Sequence, residues 1–135
     1  MEDILKNAKT IAVIGASTKR SRASNRIVRY LIQEGFQVIP VNPHYEIVEG
    51  MTSHRSIEDI PVDEEIDIFT IFRNPRFTLD TVDSIIKWAK RAGTKPVIWT
   101  QLGVSTFEAQ KLATDADFQY VANRCIMVEH STLPD

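Results

Sequence analysis

The stretch Val13–Leu31, VIGASTKRSRASNRIVRYL, decides the fold. Its opening residues close an apolar run, Thr10–Ile14 (TIAVI), that is short and unbroken, as a strand buried on both faces should be. Gly15 then turns the chain, and the remainder has helical spacing. Ala23, Ile27, Tyr30, Leu31 and Glu34 share one face, and Arg22, Arg26, Arg29 and Gln33 form a separate polar stripe. Strand, glycine turn and helix in this order form the first half of a βαβ unit.

Outward from this unit the same alternation continues. Phe36–Val41 (FQVIPV), Ile66–Phe72 (IDIFTIF), Pro96–Trp99 (PVIW) and Phe118–Val121 (FQYV) are further strand-length apolar runs. A second helix is expected over Phe77–Arg91, with Val82, Ile85, Ile86 and Ala89 inward. A third is expected from an N-cap at Ser105, with Glu108 completing a capping box, to about Thr114. The one long connection, Pro43–Glu65, holds a helical turn at Ser56–Ile60. Alternating strands and helices require a parallel sheet with right-handed crossovers. The expectation is therefore an α/β fold: residues 1–135 as one doubly wound, Rossmann-like domain whose five-stranded parallel sheet has the order 3-2-1-4-5.

Composition narrows the function. With 43% apolar residues, 25% charged residues and a net charge of −2, the chain reads as an ordinary globular protein. It offers no global reason to expect nucleic acid, and no apolar run approaches a membrane span. A lone cysteine, Cys125, excludes an internal disulfide and fits a reducing compartment, so a soluble cytoplasmic protein is expected. The charge is unevenly distributed. Between Asp3 and Glu34 there is no acid, while Lys6, Lys9, Lys19, Arg20, Arg22, Arg26 and Arg29 all fall there.

In open parallel sheets ligands bind beyond the carboxyl ends of the strands, where the order reverses. Those ends carry GASTKRSRAS, NPH, FRNP, TQLG and NRC in turn. A dinucleotide turn has the pattern Gly-x-Gly-x-x-Gly. This chain has Gly15-Ala16-Ser17-Thr18-Lys19-Arg20, with the first glycine only and a hydroxyl in the second place. Such a loop is wider and meets phosphate with side-chain donors as well as backbone N–H groups. The carboxylate that would bind a ribose diol at the end of the second strand is replaced by Asn42, followed by Pro43. Its absence beside so many bases favours a ribose that bears phosphate.

Taken together, TIAVIGAS, the Arg22-Ala23-Ser24 triplet, VIPVNP at Val38–Pro43, FRNP at Phe72–Pro75, WTQLGV at Trp99–Val104 and NRC at Asn123–Cys125 resemble the small stand-alone CoA-binding domain proteins. These are related to the N-terminal domain of the succinyl-CoA ligase alpha chain. The resemblance spans nearly the whole sequence. It implies coenzyme A as the cofactor, with the first loop and the ends of the second and third strands contacting its nucleotide part. One departure is that such proteins often carry prolines around the first-loop arginine, where this chain has Lys19-Arg20-Ser21-Arg22-Ala23-Ser24.

The chemistry of CoA suits these positions. Its diphosphate calls for donors and its 3′-phosphate carries about −1.5 to −2 charges. Backbone at Gly15 and Ala16, and hydroxyls of Ser17, Thr18 and Ser24, can donate. Lys19, Arg20 and Arg22 neutralise charge, and Arg73 beside Phe72 offers a planar fork for phosphate or for pantetheine amides. Asn42 and Pro43 either end a strand or border ribose and adenine. Gln101 is placed to meet an acyl carbonyl. Cys125 is either an inert packed cysteine or a partner for the CoA thiol. Arg26 and Arg29 read as a solvated face, and Trp99 as core.

A second domain with a phosphorylatable histidine, as in the ligase alpha chain, does not fit in 135 residues. His44, His54 and His130 have neither metal spacing nor a neighbouring nucleophile motif. The expected function is therefore non-catalytic binding of CoA or an acyl-CoA through its nucleotide moiety, with no catalytic residue and no metal. An NAD(P)-binding protein and a detached subunit of an acyl-CoA ligase are the alternatives. A homo-oligomer or an unidentified protein partner is compatible with each.

Overall fold

The computed structural model describes residues 2–134. After a short helix α1 (Glu2–Asn7) come β1 (Thr10–Ile14), α2 (Ala23–Gln33) and β2 (Gln37–Val41). A small antiparallel hairpin of β3 (Ile47–Val48) and β4 (Met51–Thr52) follows, with a 3-10 turn at Ile57–Asp59. The chain then runs through β5 (Ile68–Ile71), α3 (Thr78–Ala92), β6 (Val97–Thr100), α4 (Phe107–Asp115), β7 (Tyr120–Val121) and α5 (Ile126–Ser131). No helix among the described residues is long and apolar enough to cross a membrane.

The main sheet is β2-β1-β5-β6-β7, parallel throughout. Alternation of side chains across each strand builds its two cores. Ala12 and Ile14 of β1 pack with Phe69, Ile71 and Ile98 under α3 and α4, around Trp88. Ile11 and Val13 pack with Val38, Ile68 and Trp99 under α2 and α5. The five expected strands and the doubly wound arrangement are all present.

The 3-2-1-4-5 pattern holds with one reassignment. Its third place, outside β2, is held by a single parallel bridge from Val41 to His54, where His54 N–H donates to Pro40 O at 3.0 Å. The run at Ile66–Phe72, expected there, instead forms β5 on the other side of β1. Burial is the reason. Every residue of Ile68–Ile71 is fully enclosed, which requires a strand on each side and a helix on each face, and an edge position supplies neither completely.

Local chemistry moves one more boundary, and one further helix is present. Thr106, not Ser105, caps α4, its Oγ1 accepting from Ala109 N at 3.2 Å. The Ser105 hydroxyl meets Tyr120 Oη at 2.8 Å instead. Helix α5 was hidden in the sequence because Ile126, Met127 and Val128 are contiguous and show no helical period over so short a span.

Candidate functional site

The connection leaves β1 toward β2 and returns across it to β5, so the sheet order reverses between β1 and β5. A cavity of about 670 Å³ opens above this point, within the usual range for a ligand pocket. Gly15 forms its floor. Its φ is +88°, its N–H donates to Val41 O at 2.8 Å, and a Cβ there would stand closer to the Phe72 carbonyl oxygen than real Cβ atoms come. Glycine is required at this turn because two strand ends close on its backbone.

Two carboxamides hold the following loop from below. Asn42 Nδ2 donates to Ala16 O at 2.8 Å while Asn42 Oδ1 accepts from His44 N at 2.9 Å. Asn25, 0% exposed, donates through Nδ2 to Ser17 O at 2.8 Å and to Glu49 Oε2 at 3.1 Å, and accepts from Arg29 Nε at 2.8 Å. Ser17 Oγ in turn accepts from Lys19 N at 3.0 Å. The loop is thus set by the side-chain amides of Asn25 and Asn42, and its outer side chains Thr18, Lys19, Arg20 and Arg22 are left exposed. Tyr45 leans over it. Hydrogen bonding with Thr18 and then Ser17, with the charges of Lys19 and Arg22 adding to it, holds the Tyr45 phenol below its ordinary range.

Of the expected residues, Gly15, Ser17, Lys19, Arg22 and Ser24 line the cavity on the β1–α2 side. Asn42, Phe72, Arg73, Gln101 and Cys125 line it from the other strand ends. Ala16 lies buried beneath, Thr18 and Arg20 stand outside the lining, and Pro43 faces an adjoining cavity of about 420 Å³. Arg73 is aimed by Thr81, whose Oγ1 accepts from its Nη1 at 3.2 Å, and by the Phe77 ring, 4.6 Å from its guanidinium carbon. Arg26 also lines the cavity and Arg29 anchors Asn25, so the helix face expected to be merely solvated has work on both sides. Among the described residues no carboxylate lines this cavity, while Lys19, Arg22, Arg26 and Arg73 do. The site is therefore electropositive in a chain of net negative charge.

The far end, at β6 and β7, is built differently. Gln101, 5% exposed, donates to Thr70 Oγ1 at 2.8 Å and accepts from Ile126 N at 3.4 Å, so its amide ties α5 to the sheet. Trp99 is core, as expected, and its Nε1 donates to Arg124 O at 2.7 Å. Asn123 adopts φ +57° and accepts from Ser105 N at 2.9 Å, and Arg124 pairs with Glu129 at 2.9 Å. Cys125 is half-buried and faces the cavity, with Leu102, Val104, Met127 and Val128 around it. Asn25, Glu49 and Tyr45 were not identifiable beforehand, because each acts across segments that only folding brings together.

Comparison with known proteins agrees with this arrangement. Residues 9–131 match the family model described as CoA binding domain. An uncharacterized Bacillus subtilis protein, YneT, is 28% identical over 131 residues, covering 97% of this chain and 92% of its own length. The ADP-forming acetate–CoA ligase II subunit alpha of Pyrococcus furiosus is 32% identical over 83 residues, which are 61% of this chain and 18% of that subunit. The solved structure of a hypothetical protein from Pyrococcus horikoshii OT3 superposes with a TM-score of 0.87 at 40% identity, covering 97% of this chain and 87% of that one. With a glycine turn, an electropositive cleft at the sheet reversal and a family match along almost its whole length, the chain belongs to the CoA binding domain family.

Proposed function

We propose that the protein binds coenzyme A or an acyl-CoA by its nucleotide moiety at the carboxyl edge of the sheet, and holds it without transforming it. The observation that carries this reading is the division within one cavity. Bases and hydroxyls line its β1–α2 end, and apolar side chains with a thiol line its β6–β7 end. CoA has the same two-part character, with phosphates and ribose at one end and a thiol-tipped pantetheine arm at the other. In this reading Ser17 and Ser24, with N–H groups of the first turn of α2, meet the diphosphate. Lys19, Arg20 and Arg22 balance its charge, and Arg73 reaches the 3′-phosphate or the pantetheine amides. Asn42 and Gln101 act indirectly, by setting the loop and α5.

Thermal-shift and calorimetric titrations with CoA, dephospho-CoA, NADP, NAD and ADP test this. CoA should stabilise the protein most, since a ligand that binds only the native state raises its apparent stability. Dephospho-CoA should shift it less. A larger shift with NADP than with CoA would overturn the reading, and equal shifts with CoA and dephospho-CoA would remove the 3′-phosphate contact. The alignment with the acetate–CoA ligase subunit favours a second reading, a binding module that serves a ligase completed by other chains. Acetyl-CoA formation from acetate, ATP and CoA by the isolated protein would contradict the holding role.

A further inference from the structure

The adjoining cavity of about 420 Å³ is continuous with the main one, because Gly15, Asn42, His44, Phe72, Arg73 and Asn74 line both. A diphosphate held at the glycine turn joins the two halves of CoA, and each half leaves it in its own direction. The pantetheine half has the apolar wall of the main cavity. The adenosine half has the adjoining cavity, whose volume is within the range of small-molecule sites.

Two arginines reach this second space from different segments. Arg55 follows His54, which is fixed outside β2 by two backbone bonds: His54 N donates to Pro40 O at 3.0 Å, and His54 O accepts from Asn42 N at 2.9 Å. Arg73 follows β5, and its guanidinium is turned the same way. The Thr81 hydroxyl and Phe77 ring that hold it line the adjoining cavity and not the main one. Both arginines are exposed, and neither is in an ion pair among the described residues. Two carboxylates share the lining. Glu58 is already an engaged acceptor, its carboxyl held below the ordinary range by its own backbone N–H, the hydroxyls of Ser84 and Ser56 and the charge of Arg91. Asp80 stands in the first turn of α3, where helix N–H groups favour a carboxylate, and it is an acceptor of the kind that the 6-amino group of adenine requires. The cavity thus offers guanidinium donors for a phosphate and a carboxylate acceptor for an amine. Adenosine 3′-phosphate presents both groups.

We infer that Arg55, together with Arg73, binds the 3′-phosphate of CoA in the adjoining cavity, and that Arg55 is the residue by which the protein separates CoA from dephospho-CoA. This rests on the reading that CoA is bound by its nucleotide end. The 3′-phosphate carries about −1.5 to −2 charges, and an arginine meets such a group with two parallel N–H donors. Lys19, Arg20 and Arg22 are then left to the diphosphate, which CoA and dephospho-CoA share.

Titration calorimetry of the intact protein with CoA and dephospho-CoA provides the test. The unaltered protein should bind CoA at least about tenfold tighter than dephospho-CoA, as charge-assisted bonds to a phosphate allow. Arg55→Ala, at an exposed position, should weaken CoA binding at least about fivefold and leave dephospho-CoA within about twofold of its original affinity. Arg22→Ala should weaken both ligands by a similar factor and so keep their ratio. If Arg55→Ala weakens both ligands equally, or neither, the 3′-phosphate assignment is wrong and the CoA site stands. The assignment fails in the same way if the unaltered protein binds the two ligands alike. If neither ligand binds, the CoA reading itself fails. Arg55→Gln, which keeps most of the apolar stem, gives the same comparison should the alanine variant not fold.

Discussion

The two ends of the cavity use the same residue types in opposite ways. At the β1–α2 end, the carboxamides of buried Asn25 and half-buried Asn42 hold backbone carbonyls, which leaves the bases of the loop pointing outward. At the β6–β7 end, Gln101, Asn123 and Arg124 bond to neighbouring segments, and the rest of the cavity lining there is apolar side chains and Cys125. One end is left with donors free to bond groups outside the chain, and the other has completed its own hydrogen bonds. A polar residue at a strand end is thus no sign of binding until its partners are known.

Substitutions can break this comparison, beginning with the largest effect. Gly15→Ala should cost at least ~3 kcal/mol by urea unfolding, combining a left-handed backbone with a collision at the Phe72 carbonyl. A fully stable Gly15→Ala protein would mean that the close approach of the two strand ends is not real. Next comes Arg22→Ala, which should weaken CoA binding by ~1.5–3 kcal/mol, as expected for a charge-assisted contact, with little change in the melting temperature of the free protein. Arg26→Ala should weaken it distinctly less. Equal losses from the two would replace a local contact with diffuse electrostatics.

Gln101→Leu should show the reverse pattern. It leaves Thr70 Oγ1 and Ile126 N without their partner and should lower stability by about 1–2 kcal/mol, with CoA binding reduced only through the loosened α5. If Gln101→Leu weakens binding without touching stability, the distinction between the two ends is lost.

The smallest effect concerns Tyr45, whose phenol is held below its ordinary value of 10.0. Because the folded chain favours the phenolate, the associated stabilisation is fully present above pH 10, and is lost as pH falls through the lowered folded value. The melting-temperature difference between the native protein and Tyr45→Phe should therefore grow in favour of the native protein from pH 8 to pH 10.5. A difference that stays constant over this range would detach Tyr45 from the loop.

Much of the architecture was legible in residue order. Buried strands such as TIAVI announce themselves as unbroken apolar runs, and α2 and α3 by helical spacing, because both patterns are local. The position of Ile68–Ile71 beside β1 was not legible, since an apolar run specifies burial on two faces without naming its neighbours. The same limit applied at the site. Gly15, Ser17, Arg22 and Arg73 could be placed from the strand–turn–helix grammar, and they line the cavity. Asn42 and Gln101 were placed at the right strand ends, yet their hydrogen bonds lie with Ala16 and His44 and with Thr70 and Ile126.

By itself, then, the sequence determined the alternation of strand and helix, the two-sided burial, the glycine turn and the concentration of bases before Glu34. These follow from period, composition and φ preference, which a few neighbouring residues carry. Only the tertiary structure decided that Asn25 would bridge Ser17 to Glu49, that Gln101 would hold α5, and that Leu102 and Val128 would face one cavity with the phosphate loop. Those are meetings of segments tens of residues apart, and they depend on sheet order, which no local pattern encodes.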